Sequence, residues 1–325
     1  MKYVKILTRR LFNAILLILA VVILNFLLIH LAPGDPAEVI AGEMGGATKE
    51  MLESIRATYG LDKPVYVQLG IYLSRVLRGD LGQSFFYNAP VSQLIIARLW
   101  PTLLLVTTAL IMAIVGGTFL GVLASRNPEG VFSNVVTVLS LIGYSLPVFW
   151  SGLMLIILFA SVIPIFPVSD MYDILLEGGP LVKALDVAHH LILPAFTLSI
   201  IYLAQYSRLA RASMLEVLSA DYIRTARAKG VSEALVIGKH ALRNAILPVV
   251  TIAGLQFGGL LSGAVLVETV FNWPGLGTLA FDSILRRDFP TILGILLFSS
   301  IMVIIANLIT DFCYQLIDPR IKIGE

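Results

Sequence analysis

Apolar residues run along this 325-residue chain in long uninterrupted blocks. Six stretches lack Asp, Glu, Lys and Arg: residues 11–34, Leu99–Ser125, Gly130–Ser169, Val187–Ser207, Asn244–Val267 and Phe289–Thr310. A helix needs about 20 apolar residues to cross the hydrocarbon layer of a bilayer. Within that layer each backbone polar group must be satisfied inside the segment, so every stretch predicts a transmembrane helix. The third stretch, 40 residues long, has room for one span or two tight ones.

The distribution of cations resolves the count. With six spans and the N-terminus inside, segments 1–10, 124–131, 206–244 and 311–325 hold 14 Lys/Arg, and the short outside segments 161–190 and 268–290 hold 3. The long outside segment 32–100 holds 6, but long loops weigh little in this rule. A seventh span would carry the seven-cation loop outside and reverse the bias. The prediction is therefore an all-α membrane protein with six transmembrane helices and both termini cytoplasmic. Pro164 and Pro167 end the third span. Lys2, Lys5, Arg9 and Arg10 ahead of an apolar run imitate a signal peptide. That run exceeds the 7–15 residues of a signal sequence, and no small-x-small site follows before Pro33-Gly34-Asp35, so it reads as a retained first span.

Composition agrees. The chain is 58% hydrophobic and 14% charged, against about 25% charged in soluble domains. Its mean hydropathy is +0.90. Membrane lipid is thus a partner. A net charge of +2, without a basic run interleaved with aromatics, argues against nucleic acid. One cysteine, Cys313, excludes a disulfide framework or a cysteine metal site within the chain.

Three parts follow: 1–31, the N-terminal tail and first span; 32–98, an extracytoplasmic segment; and 99–325, the remaining spans. In 32–98, Thr48 is a helix N-cap, Gly60-Leu-Asp-Lys-Pro64 is a turn, and Val65–Leu77 is a second helix. The segment is too small for a large core of its own and is expected to pack on the bundle.

The apolar pattern breaks most sharply at Arg208–Arg243, 36 residues with seven Lys/Arg. At its centre is Asp221-Tyr-Ile-Arg-Thr-Ala-Arg-Ala-Lys-Gly230. Asp221 is a suitable N-cap, Tyr222–Lys229 makes about two turns, and Lys229 suits the negative end of the helix dipole. Gly230 fits the residue after the helix. Ser232 caps the next helix, with Glu233 in its first turn, and that helix enters the fifth span, where Pro248 loosens it. Arg224 and Arg227 lie on one face. Ala226 and Ala228 are small enough to allow close docking of a partner; a solvated positive-inside loop would need neither.

This island, with Leu242-Arg-Asn-Ala-Ile-Leu-Pro248, resembles the cytoplasmic loop of permease subunits of binding-protein-dependent ABC importers. It is most similar to the dipeptide/oligopeptide/nickel branch. Ala32-Pro-Gly-Asp-Pro36, Gly79-Asp-Leu-Gly-Gln-Ser84 and Glu268-Thr-Val-Phe-Asn-Trp-Pro-Gly-Leu-Gly277 agree, so the resemblance covers nearly the whole chain. The general loop pattern is Glu-Ala-Ala, three residues, Gly, then Leu-Pro. Here Arg224-Thr225-Ala226 stands at the triplet, so its Glu is absent. Leu-Pro falls 17 and 18 residues past Gly230, as in the peptide/nickel branch.

The resemblance implies the type I ABC importer permease fold, with Asp221, Tyr222, Ile223, Arg224, Thr225, Ala226, Arg227, Ala228, Lys229 and Gly230 as a coupling helix seated in a cytoplasmic ATPase. It implies a half-pore completed by a second, paralogous permease, two ATPase subunits and an extracytoplasmic binding protein. The cargo implied is a di- or oligopeptide, with nickel or an oligosaccharide as alternatives. The chain has no Gly-x-x-x-x-Gly-Lys-Ser/Thr loop. The ATPase must therefore be another polypeptide, to which ATP and Mg belong, and the resemblance implies a transport subunit that is not itself an enzyme. Glu268, Phe271, Trp273, Pro274 and Gly275 would form an outer gate; the alternative is an interfacial turn with Trp273 as membrane-belt anchor.

Polar residues in the spans are Asn25, His30, Asn134, Gln205, Gln256 and Asn307, and such groups face the bundle or a cavity. Gln205 and Gln256 are the candidates for the translocation path. Gly254 and Gly258-Gly259 suit close helix packing. His189-His190 point in different directions on a helix and read as structural, with no metal site expected. An intramembrane protease would need His-Glu-x-x-His, paired Asp or Gly-x-Ser-x-Gly, and none is present. An ion-coupled secondary transporter would need membrane carboxylates or paired broken helices.

Overall fold

The computed structural model describes residues 2–31, 35–41, 48–84 and 86–317. Residues 32–34 of the Ala32–Pro36 motif and the end of the predicted C-terminal tail lie outside them. Regular structure among the described residues is helical apart from one hairpin of two two-residue strands. Among the described residues four helices are individually long and apolar enough to span a membrane, and counting each of two bent helix pairs as one span brings the number to six. The chain divides into two compact units: residues up to Trp100 with Gly275–Ile305, and Pro101–Pro274 with the chain from Ala306.

The first unit begins with α1 (Lys2–Leu31), α2 (Pro36–Ala41), α3 (Lys49–Tyr59) and α4 (Val65–Leu77). Thr48 caps α3 by accepting from Met51 N at 3.3 Å, and Gly60 closes the helix in the left-handed region. The hairpin β1 (Gln83–Ser84) and β2 (Ala89–Pro90) then leads into α5 (Val91–Arg126), whose first turns belong to this unit. The small helices do not fold around themselves. Ile40, Ala41 and Ile55 share a core with Ile29 of α1 and Leu293, and Asn25 Nδ2 donates to Leu293 O at 3.0 Å. Asp35 caps α2 through Ala37 N (3.0 Å) and is held by Arg56. The hydrogen bond from Arg56, then that from Ala37, keeps its carboxyl below the ordinary range. Asp80 takes Arg75 Nε at 2.8 Å, and Ser84 donates to Asp288 Oδ2 at 2.6 Å. Polar residues of two sequence motifs, Asp35 and the pair Asp80 and Ser84, thus act as clasps.

The second unit holds the rest of α5, then α6 (Val131–Ser145), α7 (Val148–Ile156), α8 (Pro180–Leu218), α9 (Asp221–Ala228), α10 (Glu233–Leu235), α11 (Leu242–Ala245) and α12 (Leu247–Val270). π-helical turns Ile157–Val162 and Val236–Ala241 extend α7 and join α10 to α11. α13 (Leu276–Leu285) belongs to the first unit, and α14 (Phe289–Ile317) starts there and ends in the second.

Helix packing in the second unit rests on small residues. A Cβ on Gly117 would lie 2.7 Å from Leu203 O, and one on Gly121 2.5 Å from Ser207 O. Backbones of α5 and α8 can approach this closely only because the Gly-x-x-x-Gly face carries no side chain. α6 turns Ser133, Val136, Ser140 and Gly143 inward in the same manner. The third apolar stretch is a span broken by 109° between Ser145 and Val148. Leu146 is extended because the ring of Pro147 disfavours helical backbone before it. The π turn ends at Val162, just ahead of Pro164 and Pro167. The fifth span bends by 43° where Leu247 follows Ile246. Pro248 has no N–H to give and its ring crowds the preceding turn, so the helix restarts there.

Candidate functional site

α9 is a short amphipathic helix fastened at both ends. Ala220, in extended conformation, holds the N-cap position and Asp221 is the first helical residue, so the helix starts one residue earlier than predicted. From there the Asp221 carboxylate cannot cap; it pairs instead with Arg224 at 3.0 Å, three residues on. At the other end Lys229 N donates to Thr225 O and Gly230 N to Arg227 O. Gly230 has φ +78°, a conformation that a Cβ would strain. Ser232 precedes the next helix, but its hydroxyl makes no capping bond.

Ile223 and Ala226, one turn apart, are buried among Met214 of α8, Val236, Ile237, Ala241 and Ala245. Ala226 therefore faces this chain's own core, contrary to the expectation that it makes room for a partner; Ala228 is exposed. Two polar clasps fix the outward side. Arg227 grips Glu233 bidentately at 2.6 and 3.1 Å. That hydrogen bond holds the Glu233 carboxyl below the ordinary range. Asn244 Nδ2 donates to the Tyr222 hydroxyl at 2.8 Å. Arg224, Thr225, Ala228 and Lys229 remain exposed. α9 at the centre of the seven-cation island is thus a knob tied by its apolar side to α8 and α11.

The segment after α12 is buried rather than interfacial. Trp273 is wholly inaccessible, and its Nε1 donates to Pro101 O at 2.9 Å. It is therefore no membrane-belt anchor. Glu268 is also inaccessible and accepts from Thr102 Oγ1 at 2.6 Å. Phe271 is buried, and its carbonyl accepts from Asp170 N at 2.9 Å, while Asn272 donates to the Asp170 carboxylate. These bonds hold Asp170 at φ +69° and tie the non-helical stretch after Val162 to Glu268–Pro274. Pro274 ends this run, and Gly275 takes up the N-cap position of α13.

Gln205 and Gln256, the two candidates for the translocation path, are hydrogen-bonded to each other. Gln256 Nε2 donates to Gln205 Oε1 at 2.7 Å, and the Tyr206 hydroxyl donates to Gln256 Oε1 at 2.6 Å. Both amides are half-buried, on α8 and α12. His189 Nε2 meets Ile165 O and His190 Nδ1 meets Asp186 O, as structural histidines do. No group of three potential metal ligands occurs among the described residues. The surroundings of Gly254, Gly258 and Gly259 lie outside the described side chains. The sequence reading passed over Gly117 and Gly121, although their four-residue spacing inside an apolar run signals a packing face. It also passed over Arg211, whose Nε donates to Ser133 Oγ at 2.9 Å and whose Nη2 donates to Pro128 O at 3.0 Å, tying α8 to the α5–α6 turn.

Several apolar spans, two of them joined through a short amphipathic helix, define a polytopic membrane protein. The chain belongs to the family of binding-protein-dependent transport system inner membrane components, which matches residues 117–323; the N-terminal region of such components matches residues 3–107. It is 41% identical to the dipeptide transport system permease protein DppB of Escherichia coli K12, covering 97% of both chains. It is 42% identical to the di/tripeptide permease DppB of Pseudomonas aeruginosa (93% and 94%) and 40% to the oligopeptide permease AppB of Bacillus subtilis (97% and 98%). Its fold resembles that of a chain of the MetNI methionine ABC transporter, with a TM-score of 0.55 at 16% identity over 70% of this chain and 97% of that one. The protein is thus the membrane permease component of an ABC importer, with the type I fold, and is not itself an enzyme.

Proposed function

We propose that this permease carries di- or oligopeptides, handed over by an extracytoplasmic binding protein, and that α9 is its coupling helix. The supporting observation is the two-sided character of α9. Ile223 and Ala226 lock it to α8 and α11, while Arg224, Thr225, Ala228 and Lys229 are held outward on a helix that the Tyr222 and Arg227 clasps keep from fraying. A helix fixed in this way transmits displacement. An ATPase that closes on ATP and Mg and draws in α9 moves α8 and α11 with it, and through them α12.

In this reading 208–243 and both termini are cytoplasmic, 32–98 is extracytoplasmic, and a paralogous second permease completes the pore above two ATPase subunits. Gln205 and Gln256 line the path. Glu268, Phe271, Trp273, Pro274 and Gly275 frame the outer gate from within the fold. Peptide cargo is supported by near full-length similarity to permeases named for dipeptides and oligopeptides.

Arg224→Glu is the direct test. Among the described residues the Arg224 side chain pairs only with Asp221 on its own turn, so its reversal should leave the loop folded. The expected result in the assembled importer is ATP hydrolysis without peptide uptake. Normal uptake would remove α9 from the coupling role.

A further inference from the structure

Arg208 lies on α8 three residues past Gln205, so the two share a helix face. That face is open: Arg208 is exposed and Gln205 half-buried. Among the described residues Arg208 makes no ion pair. Its guanidinium lies 5.2 Å from the centre of the Tyr144 ring.

The direction of the side chain matters. α8 continues ten residues beyond Arg208 to Leu218, roughly 15 Å at 1.5 Å per residue. An arginine serving only as an interfacial anchor would extend toward that end. Helix side chains lean toward the N-terminus instead. Arg208 accordingly reaches Tyr144, near the far end of α6, whereas Arg211 holds Ser133 near its start. The cation is therefore turned into the span, away from the α9 end.

A side chain that reaches from the cytoplasmic end of a span back toward its interior avoids lipid if it is polar. The outward face of α6, with Val131, Phe132, Val135, Val138, Leu139 and Ile142 exposed, is the apolar surface that lipid requires. The α8 face, with a glutamine and an arginine, is not. The ladder leaves Gln205 with a hydrogen-bonding group to spare whichever way the two amides are turned, because only one end of its amide is engaged. An uncompensated cation beside a spare amide is chemistry for a carboxylate.

We propose that Arg208, with Gln205 beside it, forms an anion-reading site in the translocation path that takes the carboxylate of the passing cargo. The inference rests on Gln205 lining that path. Every free peptide ends in a carboxylate, and a single unneutralised charge in a confined channel concentrates such groups.

The test measures local potential rather than transport. In the assembled importer in liposomes, with Cys313→Ser, Gln205→Cys is labelled by membrane-impermeant thiosulfonates of opposite charge, and adducts on this chain are read by mass. The anionic reagent should react on the order of a hundredfold faster than the cationic one, because a unit charge on the order of 10 Å away at an effective dielectric near 20 speeds the one and slows the other by about tenfold or more each. Arg208→Gln should bring the ratio near one, and Arg208→Lys should preserve it, both with unchanged recovery of the partner subunits. Labelling with no charge preference in the parent would overturn the Arg208 assignment while leaving Gln205 in the path. No labelling by either reagent would remove Gln205 from the path and the site with it.

Discussion

Ile223→Ala probes the joint between the knob and the bundle. Ile223 is wholly inaccessible and sits among Met214, Val236, Ile237 and Ala241. The substitution deletes three carbons. At about 0.8 kcal/mol per buried methylene, the transfer loss alone is about 2.4 kcal/mol, and a residual cavity adds to it. Since 1.4 kcal/mol is a factor of ten, α9 should detach roughly 50-fold more often. The cost falls on a local unit, because α9 contributes only Ile223 and Ala226 to this cluster. The spans should stay folded. Hydrogen exchange on the assembled importer reads this directly: the amides of Lys229, Gly230 and Val231, bonded to Thr225, Arg227 and Ala226, should exchange tens of times faster. Peptide uptake should fall while ATP hydrolysis continues. Thr225→Ala, on the exposed side, should leave the exchange unchanged. Unaltered exchange at 229–231 in Ile223→Ala would refute the packing argument. Faster exchange with normal uptake would refute the lever.

Three further outcomes follow from other parts of the molecule. Gly230→Val should uncouple transport in an inserted protein, because φ +78° strains a β-branched residue although no neighbour lies within 4 Å of its Cβ; uptake and ATP hydrolysis measured together check this. Gly121→Ala should lower the thermal midpoint of the detergent-purified protein, since its Cβ would meet backbone at 2.5 and 2.9 Å, a clash costing about 1–3 kcal/mol. Gly116→Ala, facing only the Leu203 side chain at 3.2 Å, should be tolerated. The Asp35 carboxyl lies below its ordinary 3.8, so its contribution is complete above that value and is lost as pH falls through the depressed one. Exchange protection of α2 and α3 should therefore hold at pH 5 and fade only in stronger acid, and Asp35→Asn should remove that part of the dependence.

Features set by local chemistry were readable in the sequence. Charge-free runs of sufficient length mark spans, and Thr48, Gly60, Gly230 and Pro248 mark helix ends by their own backbone or capping preferences. What pairing decides was not readable. Asp221 suits an N-cap by residue type, but Arg224 at the right spacing draws its carboxylate elsewhere. Trp273 has the character of a belt residue until the Pro101 carbonyl, 172 residues away, takes its N–H. Ala226 is small for docking and equally small for burial, and only the tertiary fold assigns it to Met214 and Val236. The bend at Pro147 hides inside a uniformly apolar run, where composition reports length and not direction. Gln205 and Gln256 show the opposite case: each was suspect as a polar group at depth, and the fold joins them.

The coupling role of α9 is tested most directly by what it touches. A photoreactive residue placed at Ala228, exposed and without a structural role, would be activated in native membranes and its adduct identified by mass spectrometry. The account predicts a covalent link to a separate ATPase subunit, lost when the same residue is placed at Ala226, which faces the core. Adducts confined to lipid or to this chain would contradict it.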